Sequence, residues 1–229
     1  MSDKGPKRFY KDVTLLEREG GFAVALDGRV AKTAGRAELV APKALAEALR
    51  EEWDAQGEHL DMQTMPLTRL QGFVLDAEEE GRAEFADTIV QYAGSDLLCY
   101  RAEDRDLAAR QEALFAPFLA LAEGDGTKLL VTSGIVPIAQ DETALTALRA
   151  RLEGMGTAEL YPRKLLTEIT GSAVLGLYAE RDPENAFAAA RLDEAFQAEK
   201  WGLDSEAEAR ENALRRDYDS VLRFLELGR

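Results

Sequence analysis

The chain has 229 residues, with 28 Lys and Arg against 43 Asp and Glu, a net charge of −15, and 46% hydrophobic residues. That apolar fraction suits a packed globular protein rather than a disordered one. The acidic balance, with a pI near 4.6, argues against non-specific nucleic-acid binding and against docking on an anionic membrane.

The first six residues, Met1 to Pro6, contain no apolar run and no Arg-rich amphipathic pattern, so no signal or transit peptide is expected. No uninterrupted apolar stretch reaches the roughly 18 residues of a membrane span. The expected compartment is a reducing cytoplasm. The first forty residues read as strands. Phe9 to Leu16 is rich in aromatic and branched residues, Gly20-Gly21 interrupts it, and Phe22 to Leu26 alternates. Asp27-Gly28 then predicts a two-residue hairpin turn leading into Arg29 to Thr33, because both turn positions need positive φ.

Helices dominate beyond Pro42, which suits the first turn of a helix to about Gln56 with Leu45, Leu49 and Trp53 on one face. A polar linker, Gly57 to Thr64, precedes a short helix opened by Met65-Pro66 and running to about Leu75. The acidic stretch Ala77 to Gly81 reads as a break. Further helices are expected over 82–93, 106–123, 141–153, 158–180, 184–201 and 205–227, with a short strand at Leu129 to Thr132. Leu165 to Ala179 is apolar on nearly every side and so predicts a central, surrounded helix. The expected fold class is α+β. A small N-terminal domain with a β-hairpin and one or two helices covers residues 1–78, and a larger all-helical domain covers 79–229.

No phosphate loop, dinucleotide fingerprint, zinc-protease helix or nucleophile elbow is present. Gly124-Asp125-Gly126-Thr127-Lys128 has the composition of a phosphate loop without its spacing. One cysteine, Cys99, and one histidine, His59, exclude an internal disulfide and a Cys/His-rich metal site. The conceivable nucleophile–base pair is Cys99 with His59, but Cys99 lies in an apolar run typical of a core thiol. Acidic residues are too numerous to single out a carboxylate pair. Neither a cofactor nor a catalytic group is therefore expected.

The segment 187–202 is more informative. On a helix stepped at 100° per residue, Glu199 falls within the apolar stripe of Leu192 and Phe196. Glu194, Gln197 and Trp201 share the opposite face. Two readings compete. In one, Glu199 snorkels at the helix end and Trp201 packs on a neighbouring helix. In the other, the segment is a binding surface for another protein, anchored by an aromatic residue.

The chain resembles the assembly chaperones of the soluble catalytic head of F-type ATP synthase, of the type that binds the α subunit. The segments that carry the resemblance span nearly the whole chain. They are Arg8-Phe9-Tyr10-Lys11, Leu26-Asp27-Gly28-Arg29, Glu52 to Gln56, Met65 to Leu70, Ser95 to Arg101 and Gly171-Ser172. Asp193-Glu194, Gln197, Glu199 and Trp201-Gly202 complete them. Where members usually end the second hairpin strand in Thr-Pro, this chain has Thr33-Ala34. The resemblance implies a non-enzymatic protein, a bacterial cytoplasmic member expected to act as a monomer, that holds the unassembled α subunit until the β subunit displaces it. It implies Glu199 and Trp201 as partner-binding residues, with Glu194 and Gln197 beside them. The alternatives are a helical adaptor for another protein, or a hydrolase using Cys99 or a carboxylate pair.

Overall fold

The computed structural model describes residues 5–77, 79–134, 136–202 and 205–229, with the side chains at 79 and 80 excepted. The chain is α+β. It divides into two compact units, one of Met1–Glu78 with Asp219–Arg229 and the other of Glu79–Tyr218. The last eleven residues therefore belong with the N-terminal unit, whereas a single cut near residue 78 would leave them with the helices.

In the N-terminal unit, β1 (Val13–Arg18) and β2 (Gly21–Leu26) pair antiparallel from Val13↔Leu26 to Arg18↔Gly21. The other side of β2 pairs with β3 (Arg29–Val30) and β4 (Val40–Ala41). The turn between β2 and β3 is the expected one, with Asp27 at φ 48° and Gly28 at φ 77°. The first strand starts at Val13 rather than Phe9, because the segment before it is tied elsewhere. Arg8 donates to the carbonyls of Asp54 (3.0 Å) and Gln56 (2.5 Å) at the end of α1 (Lys43–Asp54). Tyr10 Oη donates to the Trp53 carbonyl at 2.7 Å. These donors satisfy carbonyls that a helix C-terminus leaves open. Leu45 and Leu49 of α1 are buried in a helix that packs on β1 and β2, each worth about 2 kcal/mol.

Glu52 points from α1 to the start of α2 (Pro66–Asp76), where its two oxygens accept the N–H groups of Leu67 and Thr68, both at 2.8 Å. Burial raises the Glu52 carboxyl above its ordinary range, while those N–H groups pull it back. Val221, Phe224 and Leu225, from the end of α10 (Ser205–Leu227), are buried and complete this unit.

The second unit is helical. It contains α3 (Glu79–Ala93), α4 (Arg105–Gly124), α5 (Glu142–Glu153), α6 (Thr157–Thr170), α7 (Ala173–Tyr178), α8 (Pro183–Ala190) and α9 (Leu192–Trp201). Helix α3 begins inside the stretch read as a break; the side chains of Glu78, Glu79 and Glu80 lie outside the described residues. The expected strand near 129–132 is displaced to β6 (Thr132–Ser133), which pairs in parallel with β5 (Tyr100–Arg101).

The expected helix 158–180 is two helices. Gly171 adopts φ 70° and ends α6, and Ser172 starts α7 by accepting the Leu175 N–H. All six residues of α7 are buried, and α3, α4, α6 and α8 surround it. The central helix read from the apolar run is thus one short element. The expected helix 184–201 also divides, at Arg191.

Asp96, fully buried, fixes the start of α7. One of its oxygens accepts the Leu98 N–H at 3.0 Å and the other the Val174 N–H at 3.1 Å. The Ser172 hydroxyl and the Ala173 N–H also serve it. Burial outweighs these donors and pushes the carboxyl up to about 6. Two segments far apart in sequence, Ser95 to Arg101 and Gly171-Ser172, meet at this one carboxylate.

Candidate protein-binding surface

Helix α9 is built for its position. Asp193 and Glu194 in the first turn and Lys200 in the last complement the helix dipole. Gly202, at φ 82°, terminates it. Leu192 and Phe196 are buried, and the helix packs on α4 and α8.

Polar contacts strap α9 to the N-terminal half of α4. Buried Gln111 donates to Asp193 at 2.8 Å and accepts the Ala102 N–H at 2.7 Å. Arg110 Nη1 donates to both oxygens of Glu199 at 2.9 Å. That bond is the main reason the Arg110 guanidinium is raised. Lys200 donates to Asp104 at 3.1 Å, and this bond leads the lowering of the Asp104 carboxyl. Both cations lie near the Phe196 ring, with Lys200 Nζ 4.0 Å from its centroid and Arg110 Cζ 5.2 Å.

Glu199 is therefore not a carboxylate inside an apolar face. Its side chain is 56% exposed and paired. The stripe runs out in the last helical turn, and the Arg110 guanidinium crosses there above Phe196. Trp201 does not pack on a neighbouring helix, being 78% exposed. Glu194 and Gln197, at helical spacing before it, are exposed on the same face. Arg191 holds Glu194 at 2.8 Å and Glu211 at 2.9 Å. Three of the four candidate residues thus share an open face, and Glu199 sits apart beside Arg110. A cavity of about 330 Å³ adjoins Glu194, lined also by Thr170, Gly171 and Ala190.

Sequence reasoning missed a second exposed apolar feature in the same unit. Leu130, Val131 and Val136, between α4 and α5, are 43%, 45% and 70% exposed. The signal for the first two is the apolar run that reads as a strand at Leu129 to Thr132, in which Leu129 is buried and Leu130 and Val131 are not. Cys99 is buried, and burial with the neighbouring Asp96 pushes its thiol up to about 12. A thiol in that state is not a nucleophile, so the hydrolase alternative has no support at Cys99. No helix among the described residues is long and apolar enough to cross a membrane.

The chain matches the ATP12 chaperone protein family over residues 7–123. It superposes on the crystal structure of Atp12 from Paracoccus denitrificans with a TM-score of 0.91 at 35% identity, covering 98% of this chain and 99% of that one. A mutant of the same Atp12p matches equally well, with 98% of each chain covered. The Atu1473 protein from Agrobacterium tumefaciens gives a TM-score of 0.87 at 38% identity, covering 96% of this chain and 85% of that one. With a fold shared over nearly its whole length and the family's sequence pattern across its first half, the chain belongs to the ATP12 family of chaperones.

Proposed function

We propose that the chain binds the unassembled α subunit of F-type ATP synthase, keeps it from aggregating, and yields it to the β subunit. It acts as a monomer in the bacterial cytoplasm, with an N-terminal β domain and a helical client-binding domain. The observation that carries this reading is Trp201. A large aromatic side chain 78% exposed at the end of a well-anchored helix, in a member of a chaperone family, has the character of an interface anchor. Glu194 and Gln197 extend that face, and Glu199 with Arg110 forms its charged border. Capture works by mass action: occupying the exposed apolar patch lowers the free concentration of the aggregating species. Release needs only that the β subunit forms the larger and tighter interface.

The test is dilution-induced aggregation of isolated α subunit with and without the protein. Suppression near equimolar ratio, reversed by β subunit, is expected. Trp201→Ala is expected to keep wild-type thermal stability and to weaken α binding by about 2 kcal/mol, roughly 30-fold. Glu199→Lys sets a second cation beside Arg110 and is expected to weaken binding as well. A protein that suppresses no aggregation and forms no complex with α would falsify the reading, and equal protection by Trp201→Ala removes α9 from the site.

A further inference from the structure

The segments Arg8 to Lys11, Leu26 to Arg29 and Glu52 to Gln56 converge on a groove in the N-terminal unit. The α9 surface makes no use of it. The groove has a volume of about 470 Å³, with an apolar wall of Phe9, Tyr10, Leu26, Val30 and Trp53. Phe9 is 71% exposed and meets Tyr10 edge to face at 5.4 Å. Packing within the unit accounts for Tyr10 and Leu26, which are buried, but not for an open aromatic ring beside them.

The charges at this groove run against those of the molecule. Asp27, its one acidic lining residue, is engaged internally, with Oδ1 accepting the N–H groups of Lys11 (3.0 Å) and Asp12 (2.9 Å). Those two bonds hold its carboxyl below the ordinary range. Arg29 and Lys32 also line the groove and are exposed. Neither side chain has an ion-pair partner among the described residues, although the chain carries a net charge of −15. Trp53 Nε1–H is buried without an acceptor among them.

We propose that this groove is a second client site, taking an extended apolar segment flanked by Asp or Glu side chains. The client's apolar side chains cover Phe9 and Val30, and its carboxylates meet Arg29 and Lys32. The proposal rests on the chaperone reading for the source of the segment, and its chemistry is tested without it. Two short fluorescein-labelled peptides are titrated against the full chain by anisotropy. One alternates Val and Phe with Glu; the other replaces each Glu by Lys.

The Glu peptide is expected to bind, more weakly as salt is added. The double variant Arg29→Glu with Lys32→Glu is expected to bind it at least about tenfold more weakly. Phe9→Ser, an exposed change that leaves both cations in place, is expected to weaken it too. Circular dichroism checks that each variant is folded. The proposal is overturned if the full chain binds neither peptide, if the Lys peptide binds as tightly, or if the double variant binds unchanged. Aggregation of α subunit in the same preparation is read separately. Protection without peptide binding sinks the groove alone, whereas peptide binding without protection sinks the α-subunit reading and leaves the groove standing.

Discussion

Asp96 carries the sharpest consequence at the scale of single residues. An ionised carboxylate held wholly away from water costs several kcal/mol unless dipoles compensate it. Here the compensation comes from N–H groups of two separate segments and the Ser172 hydroxyl. The unfolded chain releases this proton in the ordinary carboxylate range, the folded chain only at about 6. Between those values the folded state holds more proton. Its contribution is therefore complete below the ordinary range and lost as pH rises through about 6, by up to roughly 3 kcal/mol. Urea unfolding of wild type and Asp96→Asn, compared at about pH 4 and about pH 7, should show that slope only in the wild type. The variant should also be less stable at neutral pH by about 1–3 kcal/mol, because an amide NH₂ then faces an N–H donor. Identical pH profiles would remove the assignment. Neither Asp96 nor Glu52 was legible in the sequence as a capping group. Asp96 has one local partner, the Leu98 N–H two residues on, but its bond to Val174 spans 78 residues and that of Glu52 to Leu67 spans 15. An acid beside apolar residues says nothing about which distant N–H groups the fold brings to it.

Elements were legible where the signal is local. Asp27-Gly28, Pro42 and Met65-Pro66 each mark a boundary through backbone geometry of their own, and the structure turns or starts a helix at each. The division of 158–180 was not read, because Gly171 and Ser172 sit within an apolar run that continues on both sides. Helix α7 needs that division in order to press against α6. A Cβ added at Gly176 would stand 2.1 Å from Thr167 Oγ1 and 2.9 Å from the Arg163 carbonyl oxygen. The backbone atom cannot rotate away, so Gly176→Ala is expected to lower stability by about 1–3 kcal/mol in a urea titration. An unchanged midpoint would mean that the two helices separate without cost. The break at Arg191 has no glycine or proline to announce it. Arg191 leaves helical geometry there, at φ −113° and ψ 10°, and its side chain pairs with Glu194 and Glu211.

Over the whole molecule, the last helix serves two units, its final residues Asp219–Arg229 belonging with the N-terminal one. Phe224 is 2% exposed. Phe224→Ala is expected to cost about 3–5 kcal/mol and to act unevenly. Hydrogen exchange should quicken in α1 and α2 while α7 keeps its protection; equal acceleration in α7 would contradict this division of the core. The periodicity of the last helix was plain in the sequence, yet which unit each of its turns joins depends on tertiary contact alone. The candidate site was legible to a similar degree. The face of Glu194, Gln197 and Trp201 follows from helical spacing, whereas the pairing of Glu199 is with Arg110, 89 residues earlier.

The two tryptophans have one further consequence. Trp201 stands in solvent, while Trp53 is half-buried with its ring 5.7 Å from that of Tyr10. Their indoles should fluoresce as two resolvable emitters, one long-wavelength and open to acrylamide quenching, the other shorter in wavelength and shielded. Each lies at a different proposed contact. The unlabelled chaperone is thus a two-channel optical reporter of its own occupancy: a blue shift of the quenchable component signals capture at α9, and a change confined to the shielded component signals occupation of the groove.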